Sequence, residues 1–194
     1  MGSLTRSSVE ALTPHERVFI GAGYVDLSEA DADYQALRQL YLDLGAPGAF
    51  DAVTIGRKAS GEVRFHREPD YSQDPAADEP AAPSLAAGLG AALFPSVAAD
   101  IPVGRLVERK TLGTVAGVVA IALGRRSLAD LGAHLDHWSA GLIVAAAVEQ
   151  QHRILSVLTN THGTIARSAT VDVETLERTT DRLRRAASRR PQTS

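Results

Sequence analysis

Imidazole and carboxylate side chains are grouped at two places in the second half of the chain. His134 and His137 flank Asp136, and Glu149 and His152 stand three residues apart. Such groups can bind a divalent metal. A Glu-x-x-His pair in a carboxylate metal site needs a second copy and further glutamates on facing helices, whereas Glu149 follows directly on a predicted strand. The spacing therefore favours ordinary histidines at helix ends and on the surface over a metal site. His134, His137, Glu149 and His152 remain weak candidates for metal ligands.

Trp138 is the only tryptophan, and it follows His137 just before a strongly apolar segment. An indole ring can stack on a ligand, but at this place it is more typical of a core plug or of an anchor at an interface. One alternative stays open, namely a small-ligand-binding or enzymatic α/β-barrel dimer. Its pocket would lie near His134, His137 and Trp138.

Sequence motifs of common reactions are missing. The chain has no cysteine, which removes disulfides, thiolate nucleophiles and thiolate metal sites. It contains neither the G-x-S-x-G serine elbow nor a G-x-x-x-x-G-K phosphate loop. Gly21 and Gly23 lack the third glycine of a dinucleotide fingerprint, and we expect them to relieve crowding inside a strand. The sequence assigns no catalytic residue and no cofactor, and it favours a non-enzymatic protein.

Length and charge set the class of the protein. A chain of 194 residues fits a single domain, which we place at 17–188 with flexible ends at 1–16 and 189–194. The chain has 23 acidic and 20 basic residues, so its formal charge is -3 and no overall electrostatic field attracts nucleic acid. Residues 1–13 have no apolar run of the length that a secretory signal needs, which favours a cytoplasmic location.

The spacing of apolar residues predicts an α+β domain. Residues 141–148 are apolar or small throughout, which is typical of a central strand covered on both faces. Residues 69–83 hold four prolines and four acids and form a predicted linker, after which 84–126 form an inserted helical hairpin. With the insert set aside, the order of elements resembles a ferredoxin-like βαββαβ sandwich with helices on one face of the sheet, followed by an amphipathic helix. The predicted strands are 17–25, 50–57, 62–68, 141–148 and 164–171, and the predicted helices outside the insert are 28–44, one from Ser127 to Leu135, 149–158 and 173–187.

The two arms of the insert, 85–99 and 111–124, are free of charged residues and rich in glycine and alanine. As helices they reach about 21–22 Å, against a hydrocarbon thickness near 30 Å, so neither spans a bilayer unaided. The second arm is apolar all around, which means that something must cover it. Arg125 and Arg126 could snorkel and hold a shallow hairpin at a membrane.

Small residues in both arms allow another backbone to approach closely. We expect the hairpin to pack on the same hairpin of a second subunit, as in a homo-oligomer, or to lie against lipid as a membrane-peripheral component at the inner membrane. No nucleic acid partner is expected. The predicted contact residues are Gly88, Gly90, Gly113, Gly117, Val118 and Ile121.

Five ordered segments resemble a bacterial family of unknown function. They are FDAV at 50–53, SGEV at 60–63, GLGAALFP at 88–95, SLADLG at 127–132 and AGLIV at 140–144. Members of that family are frequently labelled as membrane proteins because of a glycine-rich hydrophobic hairpin. The resemblance covers about residues 17–187 and implies a ferredoxin-like frame with a helical insert and no assigned reaction.

The connection between the arms departs from that family pattern. Residues 100–110 carry five charged side chains, whereas family hairpins are weakly charged throughout. The departure argues against a hairpin that crosses the membrane.

Overall fold

One antiparallel sheet organises the part of the chain that the computed structural model describes, which is residues 15–67, 84–99 and 106–188. The predicted linker at 69–83 lies outside the described residues. So do residues 1–14 and 189–194 of the predicted flexible ends, and residues 100–105 of the predicted connection. Within the described residues the chain is an α+β protein, as predicted.

The sheet has five strands in the order β3-β2-β4-β1-β5, and every neighbouring pair is antiparallel. β1 lies between β4 and β5, and β4 lies between β1 and β2. The central position of β4 confirms the prediction from its apolar run. The strands are β1 (His15–Tyr24), β2 (Ala52–Arg57), β3 (Val63–Arg67), β4 (Ala140–Ala147) and β5 (Gly163–Val171).

The described residues also form six α-helices. They are α1 (Leu27–Asp43), α2 (Leu85–Leu93), α3 (Pro95–Ala99), α4 (Leu106–Asp136), α5 (Gln151–Val157) and α6 (Val173–Ser188). Their bounds lie within a few residues of the predicted ones outside the insert. The largest difference is that the predicted second arm and the helix from Ser127 are parts of one element, α4.

Helices cover both faces of the sheet. α1 and α5 pack on the face that carries Ile20, Leu142 and Val144 of the central strands. α2, α4 and α6 pack on the opposite face, against Phe19 and Ile143. This differs from the expected sandwich with helices on one face, because the inserted helices fold back onto the sheet. Each face of β4 therefore has its own core, which explains why the strand is apolar throughout.

Asp26 fixes the beginning of α1. Its Oδ1 atom accepts hydrogen bonds from the backbone amides of Ser28 and Glu29, at 2.8 and 3.1 Å. The cap is thus Asp26, and the helix begins one residue before the predicted range of 28–44. On the buried side of α1, Tyr34 and Leu37 face the sheet, as their spacing predicts.

Asp51 joins the start of β2 to the start of α2. Its Oδ2 atom accepts the amide hydrogens of Leu85 and Ala86 at 2.7 and 3.3 Å, and its Oδ1 atom accepts from Ser84 Oγ at 2.6 Å. Burial raises the pKa of Asp51 to about 6, although these three hydrogen bonds act in the opposite direction. The carboxylate thereby fixes how the chain enters the inserted helices.

α4 is broken at Gly124, where its uncharged half ends. Gly124 has φ 72° and ψ 163°, and the helix continues on both sides of it. Beyond this point Leu131 and Leu135 are buried in the sheet core, and Asp136 pairs with Arg57 of β2 at 2.7 Å. The half of α4 after Gly124 therefore belongs to the body of the protein, and the half before it belongs to the hairpin.

Helix α6 has the predicted amphipathic pattern. Leu176 and Thr180 are buried, whereas Arg178, Arg182 and Arg185 are exposed. These three arginines are therefore solvated, and the apolar stripe of α6 closes the core beside α4.

Candidate functional site

The first arm of the predicted hairpin is buried in the chain's own core. Its helix α2 lies between the sheet and α4. A side-chain carbon placed at Gly88 would overlap Val115 of α4, and one placed at Gly90 would lie 2.7 Å from Phe65 Cε1 of β3. Gly88 and Gly90 thus permit close packing within one chain. They lie inside this protein, away from the surface contacts expected of them.

The second arm is covered on one side. Val115, Val119 and Leu123 of α4 are buried in the core that also holds α2. Val118 is partly buried and packs against the same core. This side of α4 supplies the cover that the first arm requires.

The other side of the same half-helix is uncovered. Ile121 is 84% exposed, which makes it the most exposed large apolar side chain among the described residues. Gly113 and Gly117 are exposed as well, and a side-chain carbon at either position would meet no atom within 4 Å. We call these three residues, with the half-buried Thr114 and Ala120 beside them, the open face of α4.

Basic side chains stand at both ends of the open face. Lys110 precedes it, and Arg125 and Arg126 follow the break at Gly124; all three are exposed. No charged residue occurs between positions 110 and 125. The open face is therefore part of an uncharged strip of helix about 20 Å long with a positive charge at each end.

Within the described residues, one helix is long and apolar enough to cross a membrane by length and composition alone: α4, over residues Arg109–Asp136. Its second half, however, is fixed in the sheet core through Leu131 and Leu135. The part free to meet lipid ends at Gly124. That part is shorter than the roughly 30 Å thickness of the hydrocarbon layer, as the sequence indicates.

A separate group of residues, many of them polar, lies where β1 ends and β5 begins. We call it the strand-end cluster, and it consists of Gly23, Tyr24, Glu29, Asp33, His134, Trp138 and the residues 160–163. The Trp138 ring lies directly over Gly23, where any side chain would overlap it. This confirms that Gly23 relieves crowding. The same ring stacks on the imidazole of His162, with centroids 5.6 Å apart and an interplanar angle of 27°.

His162 also contacts a carboxylate. Its Nε2 atom donates to Glu29 at the start of α1, at 3.2 Å to Oε2 and 3.4 Å to Oε1. Its backbone amide donates to the Gly23 carbonyl oxygen at 2.9 Å. The imidazole is 43% exposed, so it lies at the surface between the indole and the carboxylate.

Asp33 is the buried part of the strand-end cluster. It is fully buried, and its carboxylate accepts hydrogen bonds from Tyr24 Oη at 3.0 Å and from Asn160 Nδ2 at 2.7 Å. The backbone amide of Asn160 donates to the same carboxylate. Burial, followed by the negative charge of Asp33, raises the pKa of Tyr24 above its usual range. Tyr24 therefore remains a hydrogen-bond donor at every physiological pH.

The candidate metal ligands lie at opposite ends of β4. His134 and His137 precede this strand and Glu149 and His152 follow it, and a strand of eight residues spans about 26 Å. His134 Nε2 donates to the Gly163 carbonyl oxygen at 3.0 Å, and the His137 ring donates to a carbonyl of its own helix. In the described part of the chain, no three His, Cys, Asp or Glu side chains lie close enough to share a metal ion.

The predicted pocket residues meet only in part. His134 and Trp138 both lie against Gly163, whereas the contact made by His137 is within α4. Glu29 and His162 are partners that no pattern in the sequence indicates. Asp26 and Glu29 have the spacing of a capping box, which is a local signal, but the contact between Glu29 and His162 joins residues 133 positions apart.

The open face of α4 and the strand-end cluster are thus the two features of the described residues that ordinary core packing does not account for. Neither contains an exposed nucleophile held by a neighbouring base. Comparison of the chain with protein-family models, with curated proteins and with solved structures finds no match.

Proposed function

We propose that this chain is a non-enzymatic, membrane-peripheral protein that docks on an anionic bilayer surface through the open face of α4. The observation that carries the proposal is the 84% exposure of Ile121 on an uncharged helix face with basic residues at both ends. Lipid offers this face an apolar layer for Ile121 and negative headgroups for Lys110, Arg125 and Arg126. The cytoplasmic side of the inner membrane supplies such a surface.

The expected affinity is low. Burying Ile121 contributes about 1.5–3 kcal/mol, and each base near an anionic surface adds about 1 kcal/mol. A total of about 5 kcal/mol corresponds to a Kd on the order of 0.1–1 mM in accessible lipid. The association is therefore reversible and comparable with that of a single acyl chain.

The geometry favours a helix that lies in the plane of the membrane. Val115, Val119 and Leu123 face the protein core, so only the opposite side of α4 is free to enter the interface. Arg125 and Arg126 follow the break at Gly124 and can extend toward headgroups while the second half of α4 stays in the sheet core.

A homo-oligomer formed through the same face is the second candidate. An antiparallel pair of α4 helices centred on Gly117 would place Ile121 of each copy over Gly113 of the other, which is a fit of a large side chain to a small one. The strip would cover only about 200 Å² per copy, however, against about 800 Å² per partner in a stable complex.

Vesicle flotation of the full chain tests the proposal. We expect binding to vesicles that contain phosphatidylglycerol, no binding to pure phosphatidylcholine, and loss of binding as salt rises. Ile121→Ser and the double variant Arg125→Gln with Arg126→Gln should each reduce binding about tenfold or more. Leu42→Ser is the matched control, because Leu42 is an exposed apolar residue, 47% exposed, on the opposite side of the sheet.

Two results would overturn the membrane proposal. One is a chain that ignores anionic vesicles but elutes as a dimer that Ile121→Ser dissociates, which assigns the open face to a second copy. The other is a monomer that ignores vesicles at any lipid concentration up to several millimolar.

We propose that the domain that contains α4 has a ferredoxin-like fold. The strand order β5-β1-β4-β2, with α1 and α5 on one face, supports this arrangement, since each helix then connects two parallel strands with one strand between them. β3, α2, α3 and α4 are in this interpretation an insertion that covers the second face.

A further inference from the structure

The segment between α5 and β5 is held to three other elements. Thr161 Oγ1 donates to the Gly23 carbonyl oxygen at 3.1 Å, and Asn160 donates to Asp33 of α1. His162 adds the contact with Glu29 of α1 and the stack on Trp138, which follows the end of α4. Residues 159–162, which we call the α5–β5 loop, are therefore held by one buried set of contacts and one exposed set.

The exposed set depends on the charge of an imidazole. A neutral His162 ring can make one hydrogen bond to Glu29 and an ordinary stack on Trp138. A protonated ring makes an ion pair with Glu29 and a cation–π contact with Trp138, and both are stronger. Imidazole is the side chain whose charge changes between about pH 5 and 8.

The groups around His162 are few. Glu29 and Asp26 face it from the start of α1, Tyr24 and Asp33 lie beneath the loop, and His134 lies beside Gly163 at the end of α4. The pKa of Asp26 is lowered, chiefly by its hydrogen bond from Ser28, so Asp26 stays charged over this range. Tyr24 stays protonated.

We propose that His162 is a proton-operated latch. When the ring is charged it is clamped between the Glu29 carboxylate and the Trp138 indole, and the α5–β5 loop is closed on α1 and the end of α4. When the ring is neutral, the clamp weakens and the loop opens more often, while the buried contacts of Asp33 keep the fold intact.

Two readouts on the full chain test the latch. Trp138 is the only tryptophan, so tryptophan fluorescence reports the surroundings of this one ring. Emission should change in one step between pH 8 and pH 5, and His162→Gln should abolish that step. His134→Gln and His137→Gln are the controls, since both residues are imidazoles near Trp138, and each should retain it.

Hydrogen exchange gives the second readout. After correction for intrinsic rates, the amides of the α5–β5 loop should be about 3- to 10-fold better protected at pH 5.5 than at pH 7.5. Glu29→Gln should reduce this ratio, and His162→Gln should bring it to about one. Equal protection at the two pH values in the unaltered chain, or a fluorescence step that survives His162→Gln, would overturn the proposal.

Discussion

Val115 of α4 occupies the space that a side chain at Gly88 of α2 would need. This contact locks the two inserted helices together. Gly88→Ala should therefore lower the free energy of unfolding by about 1–3 kcal/mol through overpacking, as measured by urea denaturation. Gly113→Ala is the control, because Gly113 is helical and faces open space; it should raise stability by up to about 1 kcal/mol. Equal effects of the two changes would contradict the described packing.

The break in α4 depends on a glycine conformation. Gly124 has φ 72°, a region in which an L side chain is strained, so Gly124→Ala should cost about 1–2 kcal/mol of unfolding free energy. Gly132 belongs to the same helix and has ordinary space around it. Gly132→Ala should be neutral or stabilising in the same urea titration, and a Gly124→Ala variant as stable as that control would mean that α4 is not broken.

The buried carboxylate of Asp33 requires its donors. Tyr24→Phe removes one hydrogen bond and should cost about 1–2 kcal/mol, whereas Asp33→Ala leaves both Tyr24 and Asn160 without their acceptor and should cost more, about 3 kcal/mol. Thermal and urea unfolding give both values. An Asp33→Ala variant that is no less stable than Tyr24→Phe would show that the network is not closed.

Asp51 should make stability depend on pH. Its pKa is raised by burial to about 6 in the folded chain, above the ordinary value of 3.8. The protonated form is thus favoured by folding, so this contribution is fully present below about pH 4 and is lost as the pH rises to about 6. It amounts to at most about 3 kcal/mol.

Asp51→Asn isolates the contribution of this carboxyl group to stability. We subtract the unfolding free energy of Asp51→Asn from that of the unaltered chain. This difference should fall between pH 4 and pH 6.5 and then stay constant. Asp26, Glu62 and Asp172, whose pKa values are lowered, act in the opposite direction but are the same in both proteins. A difference that does not vary with pH would contradict the raised pKa.

Gly117→Leu separates the two proposed partners of the open face. The position is exposed and empty, so a leucine adds apolar surface without disturbing the core. Binding to phosphatidylglycerol vesicles should rise about tenfold or more, because the new side chain enters the interface. Pairing of two α4 helices would instead be weakened, since the leucine keeps the backbones apart. Vesicle flotation and gel filtration of the same variant give both answers.

Local patterns predicted most of the elements. The uniform apolar run at 141–148 identified the central strand, and the helices at 28–44 and 173–187 followed from apolar spacing. The charge-free stretch that ends before Arg125 and Arg126 placed the end of the apolar arm at Gly124, where α4 is broken. These signals are local because the hydrogen bonds and turns that they describe are local.

Contacts between distant residues were less accessible. The apolar surface of the second arm indicated that it needs cover, but the sequence does not say that α2 is covered by its own sheet and by Val115. The pairing of His162 with Glu29 and the position of Asp51 at α2 join residues far apart in the chain. Such contacts depend on how the elements assemble, which periodicity and capping do not encode.

The position of β1 affects how the protein is made. Both of its neighbours, β4 and β5, begin more than a hundred residues later in the chain. At about 5–20 residues per second, a ribosome needs on the order of ten seconds before either partner emerges. During that interval β1 has neither of its sheet neighbours, so the centre of the sheet can assemble only after the chain has been translated through β5.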